Sequence, residues 1–123
     1  MLRWKIFRSR WTAAAWLLVI SFLFMLPGSA LPNQTWLSRI HFDKWIHIGF
    51  FALLLFLWRS ALGRGKNSWL LAGGLAYGII VEFAQEHWVP NRSFDLYDIM
   101  ADFVGSLLGL WVGEQVYKKN KPL

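Results

Sequence analysis

Cysteine is missing from this chain of 123 residues, which excludes disulfides, thiolate metal sites and thiol nucleophiles. Charge is scarce as well. Only 16% of residues are charged against 56% hydrophobic, and mean hydropathy is +0.37. An ordinary soluble domain of this size needs more polar surface than that. Neither a Gly-rich phosphate loop nor an RNA-binding signature occurs, and there is no low-complexity tract. The formal charge of +6 therefore does not point to nucleic acid; basic residues placed unevenly around membrane spans account for it. Acids are the scarcest charged group, 7 in all, so their positions carry information.

The chain does have apolar runs and nine tryptophans, a residue that favours the water–lipid boundary. Four runs stand out: Trp11–Leu26, Ile46–Leu62, Trp69–Phe83 and Ile99–Val116. Each approaches the roughly 17–25 residues needed to cross a bilayer. The first and third are short, and gain length if their flanking turns stay helical and Arg10 snorkels. Backbone amides in lipid must be satisfied within the chain, so the runs are expected to be helices. The expectation is one all-α domain over residues 1–123, an integral membrane four-helix bundle of antiparallel hairpins.

Basic residues give the direction. Arg3, Lys5, Arg8 and Arg10 precede the first run, Arg59, Arg64 and Lys66 mark the second connection, and Lys118, Lys119 and Lys121 form the tail. The other side has only Arg39, Lys44 and Arg92, so both termini are expected to be cytoplasmic. Trp36, Trp45 and Trp88 would then mark the outer boundary, and Trp11, Trp58, Trp69 and Trp111 the inner one. A rival reading of the first run is a secretory signal, with Pro27-Gly28-Ser29-Ala30 as its small-residue cleavage site. Cleavage there would leave three helices. The connections carry turn residues, Pro32-Asn33 in the longest and Pro90-Asn91 in the last.

On this topology six of the 7 acids, Asp43, Glu82, Glu86, Asp95, Asp98 and Asp102, open on the outer side, as do all three histidines, His41, His47 and His87. Carboxylates near hydrocarbon are costly, and usually face a bundle interior or a wet cavity. Residues three or four apart share a helix face, which pairs Asp43 with His47, Glu82 with Gln85, and Asp98 with Asp102. Small residues continue these faces: Gly78 and Gly74 below Glu82, and Gly105, Gly109 and Gly113 below Asp102. Such stripes let helix backbones approach closely in lipid, so the third and fourth helices are expected to pack along them and aim the acids inward. Each residue also has a plainer role. Asp98 or Asp43 would serve as an N-cap, His47 as a hydrogen-bonded interface histidine, and Glu86, Asp95, His41 and His87 as solvated loop residues. Glu114 is placed to pair with Lys118 at i, i+4. Glu82, inside an apolar run, is the hardest to dismiss, because it needs a partner or a proton.

Crowded carboxylates have three ways to relieve their repulsion. One stays protonated and carries a proton, a hard divalent cation such as Mg²⁺ or Ca²⁺ binds, or Arg92 folds over them as counter-ion. Beyond such a cation no cofactor is expected. One histidine with carboxylates is not the usual zinc set, and Ser93 lacks a neighbouring histidine–acid pair, so zinc and serine-hydrolase chemistry are weakly supported.

The ordered motifs Asp43-Lys44-Trp45-Ile46-His47, Gly78-Ile79-Ile80-Val81-Glu82-Phe83-Ala84-Gln85, Pro90-Asn91-Arg92-Ser93-Phe94-Asp95, Asp98, and Gly105 with Gly109 resemble the VanZ-like family of small bacterial membrane proteins. The resemblance covers about residues 43 to 113. It implies an inner-membrane protein connected with the cell envelope, and the family is named for a member associated with teicoplanin resistance. Its pattern points to Asp43, His47, Glu82, Gln85, Arg92 and Asp98. Two positions depart from it: Asp102 stands where Asn is common, and Phe51 where Tyr is common.

The expected function is recognition of an envelope lipid, polar headgroup or cell-wall precursor. Arg92 would hold an anionic group, and Asp43, His47, Glu82, Gln85, Asp98 and Asp102 would line the pocket. An intramembrane lipid-phosphoester hydrolase or transferase using Glu82, His47 and Asp98 is one alternative, and a small proton- or ion-coupled transporter acting as a homo-oligomer is another. The remaining reading is a polar clasp that sets helix register.

Overall fold

The structure, a computed structural model, describes residues 8–26, 42–63, 65–89 and 96–120, excepting the side chains of Phe42, Asp43 and Asn120. The helices among the described residues are α1 (Arg10–Phe24), α2 (Phe42–Leu62), α3 (Asn67–Trp88) and α4 (Leu96–Asn120). Three of them, α2, α3 and α4, are long and apolar enough to cross a membrane, whereas α1 is shorter. The helices outrun the apolar runs in sequence because helical hydrogen bonding does not stop where polarity begins. Polar Asp43-Lys44 and Gln85-Glu86-His87 thus belong to the end turns of α2 and α3.

Local signals set the helix ends. The Ser9 hydroxyl accepts from the Trp11 amide and caps α1. Gly63 and Gly65, with φ of 82° and 91°, take the left-handed conformation that stops α2 and turns the chain into α3. The C-terminal, partially negative ends of α2 and α4 carry basic last turns, Arg59 in α2 and Lys118 with Lys119 in α4.

Packing follows the small residues, with a correction to the expected pairing. The glycine stripe of α4 faces α2. A Cβ on Gly105 would meet the Ile48 backbone, one on Gly109 the Ala52 backbone, and one on Gly113 the Arg59 side chain. As these contacts advance together along both chains, α2 and α4 run parallel and nearly touch backbone to backbone. The stripe of α3 does face α4, but it meets Asp102 and Ser106: Gly78 lies under the Asp102 carboxylate and Gly74 under the Ser106 hydroxyl. Consequently α4 uses two faces. Its glycines seat α2, and the Asp102/Ser106 side, rotated by one position, seats α3. Glycine offers contact area only where a partner backbone can reach it, and α2 is the partner that does.

An apolar core of Ile20, Phe24, Phe51, Leu54, Leu55 and Leu110 fills the space between the helices. The Trp16 indole N–H donates to the Phe50 carbonyl at 3.1 Å, tying α1 to α2. Ser21 donates to Leu17 O at 2.7 Å, so the Tyr77 hydroxyl donates to Ser21 at 2.6 Å and ties α1 to α3. Large apolar side chains such as Leu18, Phe22, Ile80, Leu107 and Trp111 are exposed, as expected where lipid rather than water is the solvent.

Candidate functional site

One end of the bundle gathers the C-terminal ends of α1 and α3 and the N-terminal ends of α2 and α4. Helix N-termini carry partial positive charge, which favours carboxylates there. Asp98 sits in the first turn of α4. It lies inside the helix rather than at its cap, and its side chain pairs with Lys44 across the interface, 2.8 Å from Nζ to Oδ1.

His47, one turn into α2, is 2% exposed and lies between two carboxylates of α4. Its Nδ1 is 2.6 Å from Asp102 Oδ1 and its Nε2 is 3.6 Å from Asp98 Oδ2. An ionised carboxylate only accepts, so Nδ1 carries the proton toward Asp102, and Nε2 turns toward Asp98. The Phe24 ring stacks on the imidazole at 4.8 Å and closes that side. Glu82 comes in from α3, fully buried at 0% exposure. One ligand atom each from His47, Glu82 and Asp98 fall within 4.8 Å of one another. Gln85, one turn further along α3, donates from Nε2 to the Phe24 carbonyl at 2.7 Å and fastens the end of α1.

Asp102 is 1% exposed, and its second oxygen has no hydrogen-bond partner among the described residues. That oxygen occupies the space that Gly78 leaves, since a Cβ there would lie 2.6 Å from it. The centre as a whole brings together three carboxylates, one imidazole and one ammonium. Among the described residues, carboxylates outnumber the cationic groups of the centre even with His47 protonated.

The geometry thus collects His47, Glu82, Gln85, Asp98 and Asp102 in one place. Glu86 and His87 are exposed on the outside of α3. Arg92, Asp95, His41, Trp36, Arg64 and the side chain of Asp43 lie outside the described residues. Sequence reasoning missed Phe24, whose ring and carbonyl both serve the centre; a phenylalanine at the end of an apolar run carries no signal of that role. It also missed Arg59, counted above only as a basic residue of a connection. Arg59 is buried at the opposite end, paired with Glu114, its guanidinium 5.5 Å from the centre of the Tyr117 ring. The ion pair of Glu114 across to α2, rather than along α4 to Lys118, follows from the close α2–α4 contact at Gly113. An open apolar cleft of about 210 Å³ between α1, α2 and α3, lined by Leu17, Leu54, Trp58, Leu70 and Tyr77, is separate from the polar centre.

Three apolar helices of membrane-spanning length around a buried histidine–carboxylate cluster define a helical membrane protein with a polar centre at one end. The VanZ/LLP1 family profile matches residues 2–116, nearly the whole chain, and the protein belongs to that family. No curated protein and no solved structure gives a significant match.

Proposed function

We propose that the chain is a bacterial inner-membrane protein, with both termini cytoplasmic, that binds the polar end of an envelope amphiphile at the outer face. The observation that carries this is Glu82. A carboxylate at 0% exposure, on a helix otherwise fit to lie in lipid, is brought to His47 and Asp98. Among the described residues the cluster holds more carboxylates than cationic groups, which suits a ligand with a positive charge or several hydrogen-bond donors. Arg92, which falls between α3 and α4 in the sequence, would hold an anionic group of the same ligand. Resistance to a cell-wall-directed glycopeptide would be a consequence of withholding or altering such a ligand.

The test is the lipid that copurifies with the full chain, read by native mass spectrometry from nanodiscs made of bacterial polar lipids. A discrete adduct is expected on the wild type and is lost in Glu82→Gln and weakened in Arg92→Ala, both with wild-type helicity. Identical adduct patterns in all three proteins would overturn the reading.

The Asp102–His47 pair favours a second reading, an intramembrane phosphoester hydrolase or transferase. A histidine oriented by a buried acid through one nitrogen, with the other turned to the site, is the arrangement of a general base. Turnover of lipid-phosphate substrates that vanishes in His47→Gln would promote it. Transport ranks lower, because apolar Phe51, Leu54, Leu55 and Leu110 fill the bundle below the centre.

A further inference from the structure

We infer that His47, Glu82 and Asp98 are the protein ligands of one divalent cation of the Mn²⁺ type, with Asp102 as the residue that orients His47 toward it. Three helices supply the three ligand atoms, all within 4.8 Å of one another. Bonds of about 2.0–2.2 Å to a common ion place ligand atoms roughly 3–4 Å apart, so side-chain adjustments below an ångström close the site. The histidine is already prepared. Asp102 accepts the hydrogen bond from Nδ1–H at 2.6 Å, which leaves the Nε2 lone pair for the ion. Carboxylate–histidine–metal chains of this kind fix the tautomer and raise the basicity of the ligand nitrogen.

A further observation supports an ion. Among the described residues the centre gathers three carboxylates against one imidazole and one ammonium. A dication would reverse the local imbalance and stabilise both the ligands and the acid behind them. Lys44 does not block the site. It holds Oδ1 of Asp98, while Oδ2 is the oxygen turned to His47, and at 20% side-chain exposure it sits at the mouth. The donor set selects the ion: one imidazole with two carboxylates is too oxygen-rich for a thiolate-type metal and includes a nitrogen that Ca²⁺ and Mg²⁺ seldom choose. Open coordination positions would accept water or a phosphate oxygen, which gives the envelope ligand a definite point of attachment.

This inference rests on the reading of the centre as a binding site, and the experiment separates the two. Full-length protein in nanodiscs, stripped by chelator, is titrated with Mn²⁺ and followed by electron paramagnetic resonance. One bound ion per chain is expected, with nitrogen modulation in the electron spin-echo signal from a single imidazole. Glu82→Gln should weaken binding at least about 10-fold, and Asp102→Asn about 10–100-fold with the nitrogen signal retained or distorted. The wild-type nitrogen signal needs no variant, so a misfolded mutant does not blur the outcome. Bound Mn²⁺ without nitrogen modulation, or no saturable binding, overturns the cation site. If the copurifying lipid then persists in chelator-treated protein, the ligand reading stands without the metal. If Mn²⁺ binds as described and no lipid is retained, the cation stands and the ligand reading falls.

Discussion

Gly105→Ala is the sharpest probe of how the centre is held. An alanine Cβ at this position would lie 3.0 Å from both the carbonyl carbon and the Cα of Ile48, and nearer still to the carbonyl oxygen. Ordinary contact begins at 3.4 Å. Backbone cannot rotate away as a side chain tip can, so α2 and α4 would have to separate by something on the order of 1 Å, an overpacking cost of about 1–3 kcal/mol. Gly73→Ala is the matched control. Nothing lies within 4 Å of a Cβ there, and replacing a helical glycine by alanine should stabilise by roughly 0.5–1 kcal/mol. The same chemical change is thus expected to act in opposite directions, and the two variants should differ by about 1.5–4 kcal/mol. Unfolding of the purified protein in mixed micelles, titrated with a denaturing detergent and read by tryptophan fluorescence, measures the difference. Since Ile48 adjoins His47 and Gly105 lies one turn from Asp102, the Gly105 variant should also lose Mn²⁺ affinity while the Gly73 variant keeps it. Equal unfolding midpoints for the two variants would refute the close parallel packing of α2 on α4.

Three smaller predictions concern the ties elsewhere in the bundle. Arg59→Ala leaves Glu114 without its partner across the helices and should cost about 3 kcal/mol, the low end for a buried pair because Glu114 is partly exposed, while pairing Arg59→Met with Glu114→Gln should recover most of it in the same unfolding assay. Tyr77→Phe removes the hydroxyl donated to Ser21 and should cost about 0.5–1.5 kcal/mol. Gln85→Leu leaves the Phe24 carbonyl without its donor and should cost about 1–3 kcal/mol, with faster hydrogen exchange at the end of α1 and little change in α4.

Much of the helical plan could be read along the chain. Apolar runs near bilayer length announced α2, α3 and α4, and the i, i+4 spacing of Asp98 and Asp102 put both on the side of α4 that reaches His47. The partner of the α4 glycines was read wrongly. A small-residue stripe marks a face made for close approach, but every helix backbone is an equal candidate to fill it, and only the assembled bundle selects Ile48 and Ala52. Arg59 shows the same limit from the other direction. A basic residue at a helix end reads as a solvated anchor, yet the closeness of α2 to α4 draws it inward onto Glu114.

Composition and periodicity alone made this a helical membrane protein, because hydropathy and backbone satisfaction depend only on local sequence. They also nominated the ionisable residues, since a carboxylate within an apolar run is costly wherever it ends up. Which of those residues meet was decided by tertiary structure. His47, Glu82 and Asp98 come from three helices, and their contact depends on α2 and α4 running parallel at glycine distance while Gly78 lets α3 close over Asp102. Spacing along one helix fixes a face; the distance between faces is set by packing, which no single segment contains.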